Sequence, residues 1–87
     1  MVNKMIVKDK EERLHYYGAI QFNRREALKS LMNYPGIKRD IEKDKFTLDG
    51  TEVFHSDWLV TDEEGRTKIY TDNEFRKEFT NKDGEQL

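Results

Sequence analysis

Two histidines and several carboxylates are the side chains of this sequence that could take part in acid–base or metal chemistry. His15 and His55 each stand beside an aromatic residue, in runs that are typical of strands. A metal centre or an acid–base pair would need both rings on one face with a third ligand, for which Asp40 and Asp57 are the candidates. The spacing fixes no distance between these residues. We therefore interpret the histidines as half-exposed strand residues.

The remaining chemical motifs are also incomplete. The acidic run 62–64 lies in a predicted hairpin loop, and a loop tip lacks the cleft across which two carboxyl groups act on a glycosidic bond. Asp40, Glu42 and Asp44 lack the Gly and Glu positions of a calcium-binding loop. The chain has no cysteine, no glycine-rich phosphate loop and no Gly-x-Ser-x-Gly turn. We therefore predict no enzyme, no catalytic residue, no metal and no cofactor.

The aromatic residues point to binding rather than to chemistry. They make up 11% of the chain, although only 34% of it is apolar. Tyrosine is favoured at binding surfaces because it offers a large area and loses little rotamer entropy. Tyr16 and Tyr17 are adjacent on a predicted strand and must face opposite sides. One of the two is therefore expected at the surface, against solvent or a partner.

The first regular elements are a strand and a helix that follows it at once. Leu14–Phe22 is rich in aromatic and branched residues and predicts a strand. Asn23 with Glu26 predicts a helix start, and Pro35 ends the helix after about ten residues. One stripe of this helix is expected to pack on the sheet, and it consists of Ala27, Leu28, Leu31 and Met32.

An antiparallel meander follows the helix and a polar connector of residues 37–44. Asp49 and Gly50 between alternating runs form the strongest short hairpin signal. Thr71 with Glu74 is a capping box that opens a short second helix. The predicted strands of the meander are Lys45–Leu48, Thr51–His55, Trp58–Thr61 and Arg66–Tyr70. The fold class predicted is α+β, a twisted antiparallel sheet with one main helix packed on one face and a short C-terminal helix.

A chain of 87 residues holds one small domain. We expect a polar N-terminal segment over residues 1–13, which either stays mobile or adds a short strand, a single α+β domain over residues 14–80 and a loose tail over residues 81–87. No apolar run approaches the roughly 20 residues that cross a bilayer, and the start is too charged for a signal peptide, so a cytoplasmic protein is expected. The predicted core consists of Ile20, Phe22, Leu28, Leu31, Phe46, Phe54, Trp58, Phe75 and Phe79.

The order of motifs resembles a family of small accessory proteins of tailed phages and prophages. That family begins with an "AVQF" strand that runs into a helix and ends with "GDWIV", a glycine turn and a "DxFxxxY" tail. The matching pieces are Ala19–Phe22, Asp57–Val60, Gly65 and Asp72–Phe75 with Phe79. They extend over roughly residues 14–80, with Ser56 where the family usually has Gly and Phe79 where it often has Tyr. The resemblance implies phage origin and a fold. It carries no agreed activity and no site residues.

The function expected is that of a phage-encoded, non-catalytic protein that binds a host protein and modulates or inhibits it. A host-defence inhibitor of the anti-CRISPR type fits the size and the missing catalytic motifs. A basic target channel would be met by acidic side chains, with affinity that falls as salt rises. The candidate contact residues are Tyr16, Tyr17, Asp40, Glu42, Asp44, Asp62, Glu63 and Glu64.

Two other function classes remain open at this point. A nucleic-acid-binding accessory protein would use tyrosine, lysine and arginine side chains on the sheet face, although a net charge of -2 disfavours it. A phage structural or assembly protein would self-associate through an exposed strand edge. The expected partner is a host or phage protein, without a membrane. The sequence leaves the oligomeric state open.

Overall fold

The computed structural model of the protein describes residues 3–11 and 14–87. Strands dominate it, and the two helices are short. The elements in chain order are β1 (Lys4–Asp9), β2 (Tyr16–Gln21), α1 (Arg24–Lys29), a 3-10 turn (Leu31–Asn33), β3 (Ile37–Asp40), β4 (Lys45–Leu48), β5 (Thr51–Val53), β6 (Trp58–Thr61), β7 (Thr67–Tyr70), α2 (Asp72–Glu78) and β8 (Phe79–Asn81).

The strands form two antiparallel sheets, and this corrects the predicted fold class. The larger sheet has the order β7-β6-β2-β1-β8 and the smaller one the order β3-β4-β5. The α+β prediction of one sheet braced by one main helix is therefore wrong. The N-terminal segment supplies β1, which pairs with β2, and the connector 37–44 supplies β3, which pairs with β4. The strands of the predicted meander are therefore divided between two sheets.

The first helix is shorter than predicted because Ser30 leaves the helical conformation. Its backbone is extended, at φ -156°, and its side chain accepts a hydrogen bond from the Met32 N–H, which starts the 3-10 turn instead. Serine competes with a helix in this way because its hydroxyl bonds nearby backbone. The predicted start at Asn23 is confirmed, since its side chain accepts from the N–H groups of Arg25 and Glu26.

Two hydrophobic clusters lie on opposite faces of the larger sheet. Side chains alternate along β2, so Ile20 faces the first cluster and Ala19 the second. The first cluster fills the space between the two sheets and α1, and it consists of Phe22, Ala27, Tyr34, Ile37, Phe46, Leu48, Val53 and Leu59. The second fixes α2 and β8 to the larger sheet, and it consists of Val7, Ala19, Trp58, Val60, Phe75 and Phe79.

Three predicted core residues are exposed, and one tyrosine takes an unexpected place. Phe54 is 60% exposed because Val53, its neighbour, points inward opposite Phe46. Leu28 and Leu31 are also exposed, since the short α1 buries only Ala27. Buried Tyr34 fills part of this space, and its hydroxyl accepts a hydrogen bond from the Asn23 N–H.

Three residues in the tight turns that flank β5 have positive φ. Asp49 and Gly50 both have positive φ, at 50° and 81°, which confirms the hairpin between β4 and β5. Ser56 also has positive φ, at 75°, in the turn that precedes β6. Two backbone hydrogen bonds stabilise the turn at Ser56. The Ser56 N–H donates to the Phe22 carbonyl, and the Asp57 N–H donates to the Phe54 carbonyl.

The first and last described strands lie side by side in the larger sheet. β8 pairs with β1, and the Asn81 N–H donates to the Glu85 carbonyl in the segment that follows β8. Leu87 packs against the second cluster. Four residues of the predicted N-terminal segment, 1, 2, 12 and 13, lie outside the described residues. In the part of the chain that is described, neither helix has the length or the apolar content to cross a membrane.

Candidate functional site at the acidic end of the sheet

The eight candidate contact residues fall into two groups. β2 and β6 are antiparallel, with Gly18 opposite Thr61, so the residues before Gly18 lie beside the residues after Thr61. This places Tyr16, Tyr17 and the run 62–64 together. We call these five residues, with His15 and Arg66, the acidic end. The other three candidates, Asp40, Glu42 and Asp44, lie at or beside the β3–β4 turn of the smaller sheet.

The hairpin loop of the acidic end is organised by Asp62. Its carboxylate accepts hydrogen bonds from the N–H groups of Glu64 and Arg66, both at 2.9 Å, and from the Arg66 Nε at 3.1 Å. Gly65, at φ 86°, completes the turn. The hydrogen bond from the Arg66 backbone is the largest of the contacts that hold the pKa of Asp62 below its usual range. Asp62 is therefore a structural carboxylate whose charge is fixed at neutral pH.

Glu63 joins the loop to the start of β2. Its Oε2 lies 3.3 Å from the His15 Nδ1, and its Oε1 lies 3.4 Å from the Tyr16 backbone nitrogen. His55 belongs to a different part of the molecule, where its Nδ1 accepts a hydrogen bond from the Arg24 N–H. The two histidines therefore have separate structural partners and no shared site.

A shallow cleft opens at the acidic end, with a volume of about 220 Å³. Its wall at Tyr17 rests on the core, because the Tyr17 ring packs edge-on against buried Phe79 with centroids 5.6 Å apart. Residues 62–66 contribute three carboxylates and one guanidinium, and Arg66 pairs with both Asp62 and Glu64. The cleft therefore offers a basic ligand carboxylate oxygens that are already held in place. It is lined by His15, Tyr17, Asp62, Glu63, Glu64 and Arg66.

Tyr16 adds an exposed ring on the opposite face of the sheet. The ring is 49% exposed, and the Lys8 Nζ lies 5.1 Å from its centroid. Ile6, also half exposed, lies opposite Gly18 in the next row of the sheet. Because Gly18 has no side chain, a mainly apolar groove of about 430 Å³ remains above it. The acidic end therefore combines charged groups with exposed apolar surface.

The acidic residues of the β3–β4 turn are mostly engaged within the fold. The Asp40 carboxylate accepts from the Lys43 N–H at 3.1 Å. The Asp44 Oδ1 lies 2.7 Å from Arg24 and 3.6 Å from Arg39, and both guanidinium groups stand over the buried Phe46 ring. These contacts cap the first cluster. Glu42 and Asp44 are both exposed, and the Asp44 carboxylate is engaged by the two guanidinium groups.

The structure brings no metal-ligand set together in the described residues, where no group of three or more His, Asp or Glu side chains is placed to hold an ion. Asp57 is the most buried carboxylate, at 9% exposure, and it accepts from the Phe54 N–H at 2.9 Å. Burial raises the pKa of Asp57, which its hydrogen bond partly offsets. This residue shapes the turn that precedes β6.

One exposed feature was not found from the sequence. Leu28, Leu31 and Met32 lie on the surface beside Arg25 and Lys29, although the apolar stripe predicted that they would be buried. No local signal separates this stripe from a buried one, because four apolar residues in two turns are typical of a helix face that packs on a core.

Comparison with known proteins identifies no relative. No family model matches the chain, and the searches of curated proteins and of solved structures also found no match.

Proposed function

We propose that the chain is a phage-encoded, non-catalytic protein that binds a host protein through the acidic end and thereby modulates or inhibits it. The cleft beside Glu63 is the observation that carries this proposal. It places oriented carboxylates beside the half-buried Tyr17, and the exposed Tyr16 lies next to it on the other face of β2. Carboxylates with neighbouring tyrosines are the groups that recognise a basic surface with some apolar character.

The expected target is a protein that itself binds nucleic acid. Such a protein lines its channel with lysine and arginine to neutralise phosphates. Glu63 and Glu64, which are exposed, would meet those side chains, and Tyr16 would supply contact area at low entropic cost. A nuclease of host defence is one such target, and an inhibitor of the anti-CRISPR type would act by covering its channel.

The size of the domain is sufficient for this role. A standard interface takes roughly 800 Å² from each partner, and the chain exposes 6189 Å² in total. Electrostatic contacts of this kind mainly accelerate association and weaken as salt rises.

The test is capture of proteins from a lysate of the bacterial host, followed by mass spectrometry. The wild-type chain is compared with E63K/E64K and with the control E42K/D83K, which makes the same change of net charge at exposed carboxylates elsewhere. We expect one host protein, stoichiometric with the bait, that is retained by the control and lost by E63K/E64K. Equal capture by all three proteins would contradict docking at the acidic end.

A titration with random single- and double-stranded DNA at several salt concentrations tests the competing class. A nucleic-acid-binding accessory protein would bind with an affinity that falls steeply with salt. We expect no such binding, because the acidic end would repel phosphates. Salt-dependent DNA binding by the wild-type chain would favour the competing class.

A further inference from the structure

A second surface of the molecule carries the opposite charge. α1 and the 3-10 turn present five exposed side chains, which we call the basic patch: Arg25, Leu28, Lys29, Leu31 and Met32. Met32 is 90% exposed and Leu28 is 48% exposed. Contiguous exposed apolar residues on a small protein commonly mark an interaction site.

The charges of the basic patch are not neutralised within the described part of the chain. Arg25 and Lys29 lie one helical turn apart, and neither side chain forms an ion pair with a described residue. Both side chains thus remain available to a partner that carries carboxylates.

The basic patch and the acidic end lie at opposite ends of β2. The acidic end adjoins Tyr16, the first residue of this strand, and α1 begins at Arg24, three residues after its last residue. Six strand residues span roughly 20 Å, which is far beyond the reach of an ion pair. The two complementary surfaces therefore cannot meet within one copy of the chain.

We propose that the basic patch of one copy docks on the acidic end of a second copy. Arg25 and Lys29 would face Glu63 and Glu64 of the neighbour, and Leu28 and Met32 would cover its exposed Tyr16 and Ile6. The basic patch thus supplies two positive charges, the acidic end supplies two negative charges, and both surfaces carry exposed apolar side chains that can cover each other.

This contact joins two different surfaces, so it leaves one of each free at the ends of the pair. Such head-to-tail contacts extend into open chains or rings rather than closing as a two-fold dimer. The proposal rests on the acidic end of the proposed function and adds a consequence to it. A second copy and the host protein would compete for the same carboxylates.

Sedimentation velocity of the purified chain, from micromolar to millimolar concentration and at low and high salt, tests the proposal. We expect the mean mass to rise with concentration and this rise to weaken with salt. R25E/K29E and E63K/E64K should each associate at least about ten-fold more weakly, because like charges then meet. The control K82E/E85K exchanges two exposed charges elsewhere and should behave as the wild type.

Restoring opposite charges across the contact tests the proposal more sharply than weakening the contact does. An equimolar mixture of R25E/K29E with E63K/E64K, and also the chain that carries all four substitutions, should associate as the wild type does. Circular dichroism and thermal melts of each variant verify that it is folded. A wild-type chain that stays monomeric throughout, association that ignores these substitutions, or a mixture that fails to recover it would each overturn the proposal.

The same variants separate this proposal from the proposed function. R25E/K29E keeps its acidic end and should still capture the host protein. If the wild type stays monomeric while the acidic end captures a host protein, head-to-tail association is wrong and the proposed function stands. If the chain associates head to tail but captures no host protein, the proposed function is wrong and head-to-tail association stands.

Discussion

Trp58 and Phe75 stack face to face, with ring centroids 4.1 Å apart and an angle of 12° between the planes. The stack joins β6 to α2 and lies at the centre of the second cluster. The Trp58 indole N–H also donates to the Asp72 Oδ1 at 2.9 Å, at the start of the same helix. Trp58 therefore fixes α2 at two points, one apolar and one polar.

Phe75→Ala should lower the free energy of unfolding by about 3–5 kcal/mol, because it empties the space beside Trp58 in a buried cluster. Trp58 is the only tryptophan of the chain, so its fluorescence reports the unfolding in urea. Phe75→Leu leaves a smaller cavity and keeps the experiment informative if the alanine variant fails to fold.

Phe54→Ala is the matched control for the Phe75 variants. Its ring is exposed, and a change within about 0.5 kcal/mol is expected. Equal losses at both positions would contradict the assignment of the core.

Local signals in the sequence predicted the turns and caps correctly. Thr71 and Glu74 form the expected capping box, in which the Thr71 Oγ1 accepts from the Glu74 N–H and the Glu74 Oε1 accepts from the Thr71 N–H. Asn23 and the Asp49-Gly50 turn also behave as predicted. Each of these signals depends on residues within four positions of one another, which a sequence displays directly.

The division into two sheets was missed because it depends on distant pairings. β1 pairs with β8 across about 70 residues, and no local pattern in either segment announces this partner. The predicted helix failed for a local reason, because Ser30 ends α1 and starts the 3-10 turn. Leu31 and Met32 are exposed in that turn, and Leu28 is exposed on α1, although all three were assigned to the apolar stripe that packs on the sheet. The acidic end was found only in part. Its residue types were predicted, whereas their grouping depends on the β2–β6 register.

Tyr34→Phe should cost about 1–2 kcal/mol of stability, although the ring is kept. The hydroxyl accepts from the Asn23 N–H at 3.0 Å, and its removal leaves a partly buried donor unsatisfied at the start of α1. Tyr16→Phe is the control, because the Tyr16 ring is half exposed, and its stability should stay within about 0.5 kcal/mol of the wild type. Chemical denaturation measures both. A stability loss no larger in Tyr34→Phe than in Tyr16→Phe would show that the Tyr34 hydroxyl contributes nothing.

Gly36→Ala and Gly18→Ala should change stability in opposite directions. Gly36 has φ 86°, and an added Cβ would lie 3.2 Å from the Leu48 Cδ1, so alanine there should cost more than about 1 kcal/mol. Gly18 lies in β2 with open space around its missing Cβ, and alanine there should stabilise the fold by roughly 0.5 kcal/mol. Thermal melts of the two variants provide the comparison. A destabilised Gly18→Ala would mean that the groove above Gly18 is narrower than described.

Acid should weaken the fold in part through Asp72. The hydrogen bond from the Trp58 indole, followed by the contacts with Arg76, holds the pKa of Asp72 below its usual range. A lowered pKa in the folded state means that the unfolded chain binds the proton first. This stabilisation is therefore fully present above about pH 5 and is lost as the pH falls through the ordinary value near 4 toward the folded value.

Asp72→Asn keeps an oxygen that can accept from Trp58 but removes the charge that attracts Arg76. We expect this variant to be less stable than the wild type at pH 7 and the difference to shrink as the pH falls toward 3. Urea denaturation at a series of pH values measures this difference. Asp83→Asn is the control, since its side chain is exposed, and it should follow the wild-type curve. A difference between Asp72→Asn and the wild type that stays constant from pH 7 to pH 3 would mean that the charge of Asp72 does not contribute to stability, and that only its hydrogen-bond geometry matters.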